Sequence, residues 1–160
     1  MQENRFGSKG EWWVVGQFVF VPAVLVCVVL ARMDGLLSPV MRAVTLALAA
    51  LSTLYATVMF LRGVLHLGTN LTPVPFPKQD GYLVQTGAYG VVRHPIYSSV
   101  IFAVLGWVLI FASWLGLLMA AAVFAFFDLK SQREERWLTQ KYADYASYQT
   151  KVKKLIPFIY

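Results

Sequence analysis

Long uncharged apolar stretches alternate with short polar segments along most of the chain. Residues 12–31 and 43–61 carry no charged side chain. A third uncharged stretch, 96–127, is too long for one ordinary crossing, because the apolar core of a bilayer is about 30 Å thick and needs roughly 20 helical residues. We interpret it as two helices that turn near residues 112–116. The pattern predicts four transmembrane helices at 12–32, 43–62, 95–112 and 114–130.

Two parts of the chain depart from this apolar pattern. The segment 66–95 contains three prolines between residues 72 and 77, and each proline removes a backbone donor and restrains the residue before it. We therefore predict a loop between the second and third helices. After Phe127, apolar residues recur at three- and four-residue steps among charged ones, which predicts a cytoplasmic amphipathic helix at 131–150. The predicted fold class is an all-α, polytopic membrane helical bundle that forms one domain, 1–160.

The composition agrees with a membrane location. Hydrophobic residues make up 58% of the chain and charged residues only 14%, whereas a soluble domain has about a quarter charged residues. The first apolar stretch is as long as a full crossing and is followed by Arg32-Met33-Asp34. A cleaved signal peptide would have a shorter apolar run and a small-residue cleavage site, so we expect this stretch to remain as a helix.

The distribution of positive charge predicts the orientation. With four crossings, both termini lie on one side, and of the 14 Lys and Arg residues only Arg32 and Arg42 fall on the other side. The remaining twelve are Arg5, Lys9, Arg62, Lys78, Arg93, Lys130, Arg133, Arg136, Lys141, Lys151, Lys153 and Lys154. Cytoplasmic segments are rich in Lys and Arg, so we expect both termini in the cytoplasm. The same distribution accounts for the net charge of +6 without a nucleic-acid partner.

Cysteine and histidine are too few for a structural metal site. The single Cys27 excludes an internal disulfide and a thiolate zinc cage. The two histidines, His66 and His94, are too few to form a metal site by themselves. We expect no bound structural metal.

The first cluster of chemically interesting residues is Gly87-Ala88-Tyr89-Gly90-Val91-Val92-Arg93-His94-Pro95-Ile96-Tyr97, where the loop enters the third helix. Pro95 suits a first helical turn, where its missing donor has no cost. The planar guanidinium of Arg93 can bind a carboxylate or phosphate at two points. Alternatively, Arg93 reaches the headgroups and His94 bridges the loop, which is the commoner role for a single polar residue at a membrane boundary.

The second cluster is Arg133-Glu134-Glu135-Arg136. Adjacent side chains on a helix point about 100° apart, so at most one of the two acids is expected to face a pocket while the other pairs with an Arg. Alone, such a charge run is more often a solvated face. Together, the two clusters offer a cation, an imidazole, a carboxylate and aromatic rings. This set suits S-adenosylmethionine, a zwitterionic and cationic cofactor.

The clusters also form part of a longer ordered pattern. It consists of Gly87-x-Tyr89-x-x-x-Arg93-His94-Pro95-x-Tyr97, a helical hairpin, Glu134-Glu135-x-x-Leu138, Tyr142-x-x-Tyr145 and Leu155-Ile156-Pro157. Over roughly residues 83–157, this pattern resembles the isoprenylcysteine carboxyl methyltransferase and phospholipid methyltransferase superfamily.

The resemblance implies that S-adenosylmethionine binds between the C-terminal helices and the loop 66–95. The implied cofactor-binding residues are Gly87, Ala88, Tyr89, Arg93, His94, Tyr97, Glu134 and Glu135. Arg93, Glu134 and Glu135 are the implied catalytic residues. The implied methyl acceptor is a lipid or a small carboxylate or thiol, which enters from the bilayer in the case of a lipid.

The acceptor class can be narrowed by its need for a base. A carboxylate or thiolate is already an anion, whereas an amine must first lose a proton. The sequence indicates no buried pair of histidine and carboxylate, which favours a carboxylate or thiol acceptor.

Two other functions remain open. Sterol and steroid reductases, which use NADPH, resemble the same C-terminal layout. They usually carry Asn where this chain has Ile96, and an Arg-Asp-Glu run where it has Glu134-Glu135, so the methyltransferase is favoured. The third possibility is a small membrane scaffold that retains the motif without its activity.

Overall fold

The computed structural model describes residues 6–160, and α-helices form most of this range. The helices are α1 (Glu11–Leu30), α2 (Pro39–Leu67), α3 (Pro95–Phe111), α4 (Trp114–Lys141) and α5 (Tyr145–Lys151). The described residues form no β-strand and only one isolated bridge, between Val92 and Lys153. Arg5, counted above among the charges, lies outside the described residues.

Within residues 6–160, three helices are long and apolar enough to cross a membrane: α1, α2 and α4. The helix α3 is also apolar but has only 17 residues. Large apolar side chains on α1 point outward, since Phe18 is 72% and Leu30 is 80% exposed. An outward apolar surface of this kind is stable in lipid and unfavourable in water. The prediction of an all-α membrane helical bundle is confirmed, and the chain is an integral membrane protein.

Contacts at the two ends of the bundle show that consecutive helices run in opposite directions. At one end, Met33 N donates to Phe111 O at 3.0 Å, which joins the end of α1 to the end of α3. At the other end, Gly10 lies so close to Pro75 and Trp137 that a Cβ atom on it would be 2.6 Å from Pro75 Cγ. The start of α1, the loop that follows α2 and the last turns of α4 therefore share one end of the molecule.

The start of α3 is fixed by close packing against α2. Gly63 of α2 faces Pro95 and Ile96, and a Cβ atom on Gly63 would lie 3.1 Å from Ile96 Cγ1. Further along, a Cβ atom on Gly106 would lie 2.7 Å from Thr53 Oγ1. Small residues let helices approach this closely in membranes. This packing holds the beginning of α3, and with it the Arg-His-Pro segment, against the end of α2.

The helix boundaries differ from the prediction at both ends of α2 and at the end of α4. The helix α2 extends from Pro39 to Leu67, beyond the predicted 43–62. The predicted break at residue 130 is wrong, because α4 is continuous from Trp114 to Lys141 and the predicted helix 131–150 is divided between α4 and α5. No Gly or Pro lies between Phe127 and Lys141 to end the helix. The backbone leaves helical geometry at Tyr142 instead, with φ −118° and ψ 115°.

The length of α4 places its polar end outside the bilayer core. With a rise of about 1.5 Å per residue, a helix of this length extends about 42 Å, which exceeds the apolar core of about 30 Å. The turn from α3 into α4 lies in the predicted 112–116 segment, where Ser113 Oγ accepts from Gly116 N at 3.0 Å. The last turns of α4, with Glu134 and Glu135, therefore emerge beside the loop 66–95.

Candidate functional site

The two polar clusters are neighbours in space. Tyr97, in the first turn of α3, donates its hydroxyl to Glu134 Oε2 at 2.6 Å. His94 Nε2 lies 3.1 Å from Glu135 Oε1. The antiparallel packing of α3 and α4 produces this meeting, because the start of one helix lies beside the polar end of the other.

Glu135 is the centre of a buried hydrogen-bond network. Its carboxylate accepts from Arg93 Nε at 2.7 Å, from the Tyr145 hydroxyl at 3.3 Å and from Gln149 Nε2 at 2.9 Å. Arg93 Nη1 also donates to the backbone oxygens of Gln149 and Val152. Since Glu135 is only 8% exposed, these contacts satisfy a charge that would otherwise be costly to bury. The network joins α3, α4, α5 and the C-terminal segment.

The C-terminal segment, residues 152–160, fixes the backbone of Arg93 and His94. Arg93 N donates to Lys153 O at 2.8 Å and His94 N to Lys154 O at 3.2 Å. The Tyr148 hydroxyl donates to Tyr89 O at 2.5 Å. Burial raises the pKa of Tyr148, so its hydroxyl stays protonated at neutral pH and remains a donor. The segment after α5 therefore forms part of the site's framework.

A cavity of about 530 Å³ lies between the helices and the loop 66–95. Five of the eight predicted cofactor-binding residues line it: Tyr89, Arg93, His94, Tyr97 and Glu134. Three are not among its lining residues: Gly87, Ala88 and Glu135. The sequence predicted that one acid at most faces a pocket, and in the structure Glu134 lines the cavity while Glu135 pairs with Arg93.

Gly87 and Ala88 position the loop from outside the cavity. Gly87 adopts φ 63°, and a Cβ atom on it would lie 2.4 Å from His66 Cε1. Ala88 N donates to His66 Nδ1 at 3.1 Å. Only glycine combines the left-handed backbone with this close approach. The pair anchors the loop to the end of α2, through a histidine that sequence reasoning considered only as a metal ligand.

Aromatic rings form much of the cavity wall. The Tyr97 ring stacks on His94 with 5.4 Å between centroids and 6° between planes. Tyr89, Tyr142 and Tyr145 also line the cavity. Burial, together with the charge of Glu134, raises the pKa of Tyr89, so the ring stays neutral. The sequence placed Tyr142 and Tyr145 in the predicted helix 131–150 and in the family pattern, but it did not assign them to the cofactor site.

Lys130 is a functional candidate that sequence reasoning missed. It lines the cavity, is 2% exposed and donates from Nζ to Gln17 Oε1 of α1 at 2.5 Å. Its position just after an apolar stretch indicated only a positive charge that sets topology. One signal was present, since Lys130 precedes Glu134 by four residues and such residues share a helix face.

Within residues 6–160, no three His, Cys, Asp or Glu side chains converge closely enough to hold a metal ion. The expected absence of a structural metal stays a prediction.

One family matches the chain. Its description is Phospholipid methyltransferase, and the match extends over residues 43–145, from α2 to the first residue of α5. This range covers well over half of the chain and includes both polar clusters. No curated protein gives a match. The reductase alternative has no support from the family match, whereas the predicted resemblance is confirmed. This integral membrane protein therefore belongs to the phospholipid methyltransferase family.

Proposed function

We propose that the protein is an integral-membrane methyltransferase that uses S-adenosylmethionine and acts on a lipid acceptor. The observation that carries this proposal is the single cavity onto which His94, Tyr97 and Glu134 converge. Its volume of about 530 Å³ is typical of a small-molecule site, for which the usual range is roughly 300–1,000 Å³. Membership of a methyltransferase family supports the same conclusion.

The residues of the cavity fit the cofactor. Glu134 accepts one hydrogen bond, from Tyr97 at Oε2, and its Oε1 receives none from the described residues. This oxygen is available to an ammonium or to ribose hydroxyls. The neutral rings of Tyr89 and Tyr145 suit an adenine face or a sulfonium. When bound, S-adenosylmethionine supplies an electrophilic methyl group on a positively charged sulfur.

Arg93 and Glu135 have a positioning role in this proposal. Two-point binding of a ligand carboxylate by Arg93 would use Nε or Nη1, and both nitrogens already donate to protein oxygens. Glu135 in turn holds His94 at Nε2. We therefore assign the predicted contact with the cofactor to Glu134, and the support of His94 and the loop to the pair of Arg93 and Glu135.

A buried pair of histidine and carboxylate bears on the choice of methyl acceptor. His94, 5% exposed, forms a buried pair with Glu135, so the expectation that no such pair exists is wrong. The pair could not be recognised from the sequence, because its two residues are 41 positions apart. In the tautomer that donates from Nε2 to Glu135, Nδ1 lies 3.9 Å from Glu134 Oε2 and is the nitrogen that can accept a proton from an amine. This observation favours a phospholipid amine as a second candidate beside a carboxylate or thiol.

The cavity extends toward the hydrocarbon region. Its wall includes Phe18 of α1 and Phe60 of α2, which are 72% and 47% exposed. In a bilayer these rings face acyl chains. A lipid acceptor can therefore place its headgroup near Glu134 and its chains between α1 and α2.

The orientation of the protein is also a proposal. Lys9, the loop 66–95 and the basic residues after Phe127 lie at the end of the bundle where Gly10 meets Trp137. The concentration of Lys and Arg at that end favours placing it in the cytoplasm. The cofactor cavity would then open on the cytoplasmic side, where S-adenosylmethionine is made.

Calorimetric titration of the detergent-purified protein tests the cofactor assignment. We expect S-adenosylmethionine and its demethylated product to bind at one site per chain, and NADPH to show no heat of binding. If NADPH binds while neither S-adenosylmethionine nor its demethylated product does, the proposal is contradicted and the reductase alternative is favoured.

A further inference from the structure

A lysine side chain is buried in the cavity with most of its hydrogen-bonding capacity unused. Lys130 Nζ can donate three hydrogen bonds, and the described residues accept only one, through Gln17 Oε1. No carboxylate of the described residues forms an ion pair with it, although the side chain is 2% exposed. The charge of Glu134 acts on it from a distance, and the rings of Tyr97 and Phe127 lie 4.7 and 5.7 Å from Nζ. A buried ammonium is costly unless it is paired directly, so the anionic group of a ligand fits this position.

The only other charged side chain on the same face of α4 that lines the cavity is Glu134. It lies one turn beyond Lys130, at a spacing that places Cβ atoms about 5–6 Å apart. The two charges do not close into a salt bridge, since Glu134 bonds to the Tyr97 hydroxyl and the ammonium of Lys130 lies 4.7 Å from the centre of the Tyr97 ring. Tyr97 therefore contacts both residues. Lys130 Nζ and Glu134 Oε1 each keep unused hydrogen-bonding capacity within the cavity.

We propose that Lys130 and Glu134 bind the two ends of a zwitterionic group, with Lys130 holding a carboxylate or phosphate and Glu134 holding an ammonium. The inference rests on the proposed function. Two ligands of that reaction carry such a group: the amino-acid end of the cofactor, and the headgroup of an amine phospholipid. Arg93 does not offer the anion a two-point contact, because Glu135 and two backbone oxygens occupy its Nε and Nη1.

The first arm of the test compares two nucleosides by calorimetry on detergent-purified protein. S-adenosylhomocysteine carries the zwitterionic amino-acid end, whereas 5′-methylthioadenosine lacks it. If the pair binds the cofactor, the wild-type protein prefers S-adenosylhomocysteine, and Lys130→Met and Glu134→Gln each weaken its binding about tenfold or more, as expected for one charged hydrogen bond. Binding of 5′-methylthioadenosine stays unchanged in both variants.

The second arm measures lipid binding in the same variants, with nanodiscs of phosphatidylethanolamine or of phosphatidylglycerol. If the pair binds the acceptor headgroup, Lys130→Met weakens binding of both lipids, because both carry the phosphate. Glu134→Gln removes the preference for phosphatidylethanolamine, because only that lipid carries the ammonium. Both variants then leave both nucleosides unaffected. Arg133→Met is the matched control, because it removes a cation from the same helix at an exposed position outside the cavity. Arg133→Met should change neither nucleoside binding nor lipid binding.

The outcomes separate this inference from the proposed function. If Lys130→Met changes neither nucleoside nor lipid binding and only lowers the melting temperature, Lys130 merely ties α4 to α1 through Gln17, and the inference is overturned. If Lys130→Met does not fold, Lys130→Gln decides, because glutamine removes the charge and keeps a polar group that can bond to Gln17. Failure of the wild-type protein to bind either nucleoside would instead refute the cofactor assignment.

Discussion

At the scale of single residues, the two adjacent acids of α4 have different environments. Glu135 is surrounded by donors from Arg93, Tyr145 and Gln149, whereas Glu134 lines the cavity with one bonded oxygen. The helical rotation of about 100° between neighbours separates them. In the proposed function, a sequence motif that contains both acids therefore combines a structural requirement at Glu135 with a binding requirement at Glu134.

This difference leads to a prediction for Arg93. Arg93→Ala should lower the free energy of unfolding by about 3 kcal/mol, because it leaves Glu135 buried without its partner. The side chains of the pair are 10% and 11% exposed, so solvent can replace little of the interaction. Thermal unfolding in detergent measures the effect, with the exposed Arg133→Ala as control. An unchanged melting temperature combined with lost affinity for S-adenosylmethionine would show that Arg93 grips the ligand instead.

Residue types and spacing indicated part of this site but not its geometry. The family resemblance implied that Tyr97 and Glu134 share a pocket, and helix geometry predicted that the two acids diverge. Residue types and spacing could not reveal Lys130, since a basic residue after an apolar helix normally marks the membrane boundary. Nor could they reveal the contact of Gly87 with His66, because it depends on where a distant helix ends.

At the scale of elements, the central feature is that α4 crosses the predicted boundary at residue 130 without a break. A continuous helix fixes the rotation of Glu134 and Glu135 relative to the apolar part that packs in the bundle. Hydrophobic periodicity located the helices, but helix ends depend on local breaks and tertiary contacts that periodicity does not contain.

An insertion tests the importance of this register. One alanine added after Gln132 should rotate Glu134 and Glu135 by about 100° away from α3. We expect binding of S-adenosylhomocysteine to be lost while the protein still inserts in the membrane, since the apolar part of α4 is unchanged. The control is the same insertion after Gly35, which is exposed and lies at the opposite end of the bundle from the site. Retained affinity in the first variant would mean that the register of α4 does not position the site.

At the scale of the whole molecule, four antiparallel helices bring the start of α1, the loop 66–95 and the C-terminal segment to one end. The site needs all of these parts, because its residues come from five helices and the loop. The sequence predicted this arrangement from the number of crossings alone. It did not predict that the C-terminal segment pairs with Val92, since a single β-bridge has no periodic signature.

The orientation can be tested with cysteine accessibility. In a Cys27→Ser background, cysteine at Gly35 should react with an impermeant thiol reagent added to intact cells. Cysteine at Lys151 should react only after the membrane is opened. These two positions lie at opposite ends of the bundle. The reverse pattern would show that the termini face outward and would move the cavity away from the cytoplasm.

The most direct test of the central claim is transfer of a radiolabelled methyl group from S-adenosylmethionine by the purified protein in lipid nanodiscs. Phosphatidylethanolamine, a prenylated cysteine and a small thiol serve as separate acceptors. We predict label in the extracted acceptor for at least one of them, with loss in Glu134→Gln and retention in Arg133→Met. Absence of label from every acceptor, in a protein that binds none of the adenosyl compounds, would contradict the account.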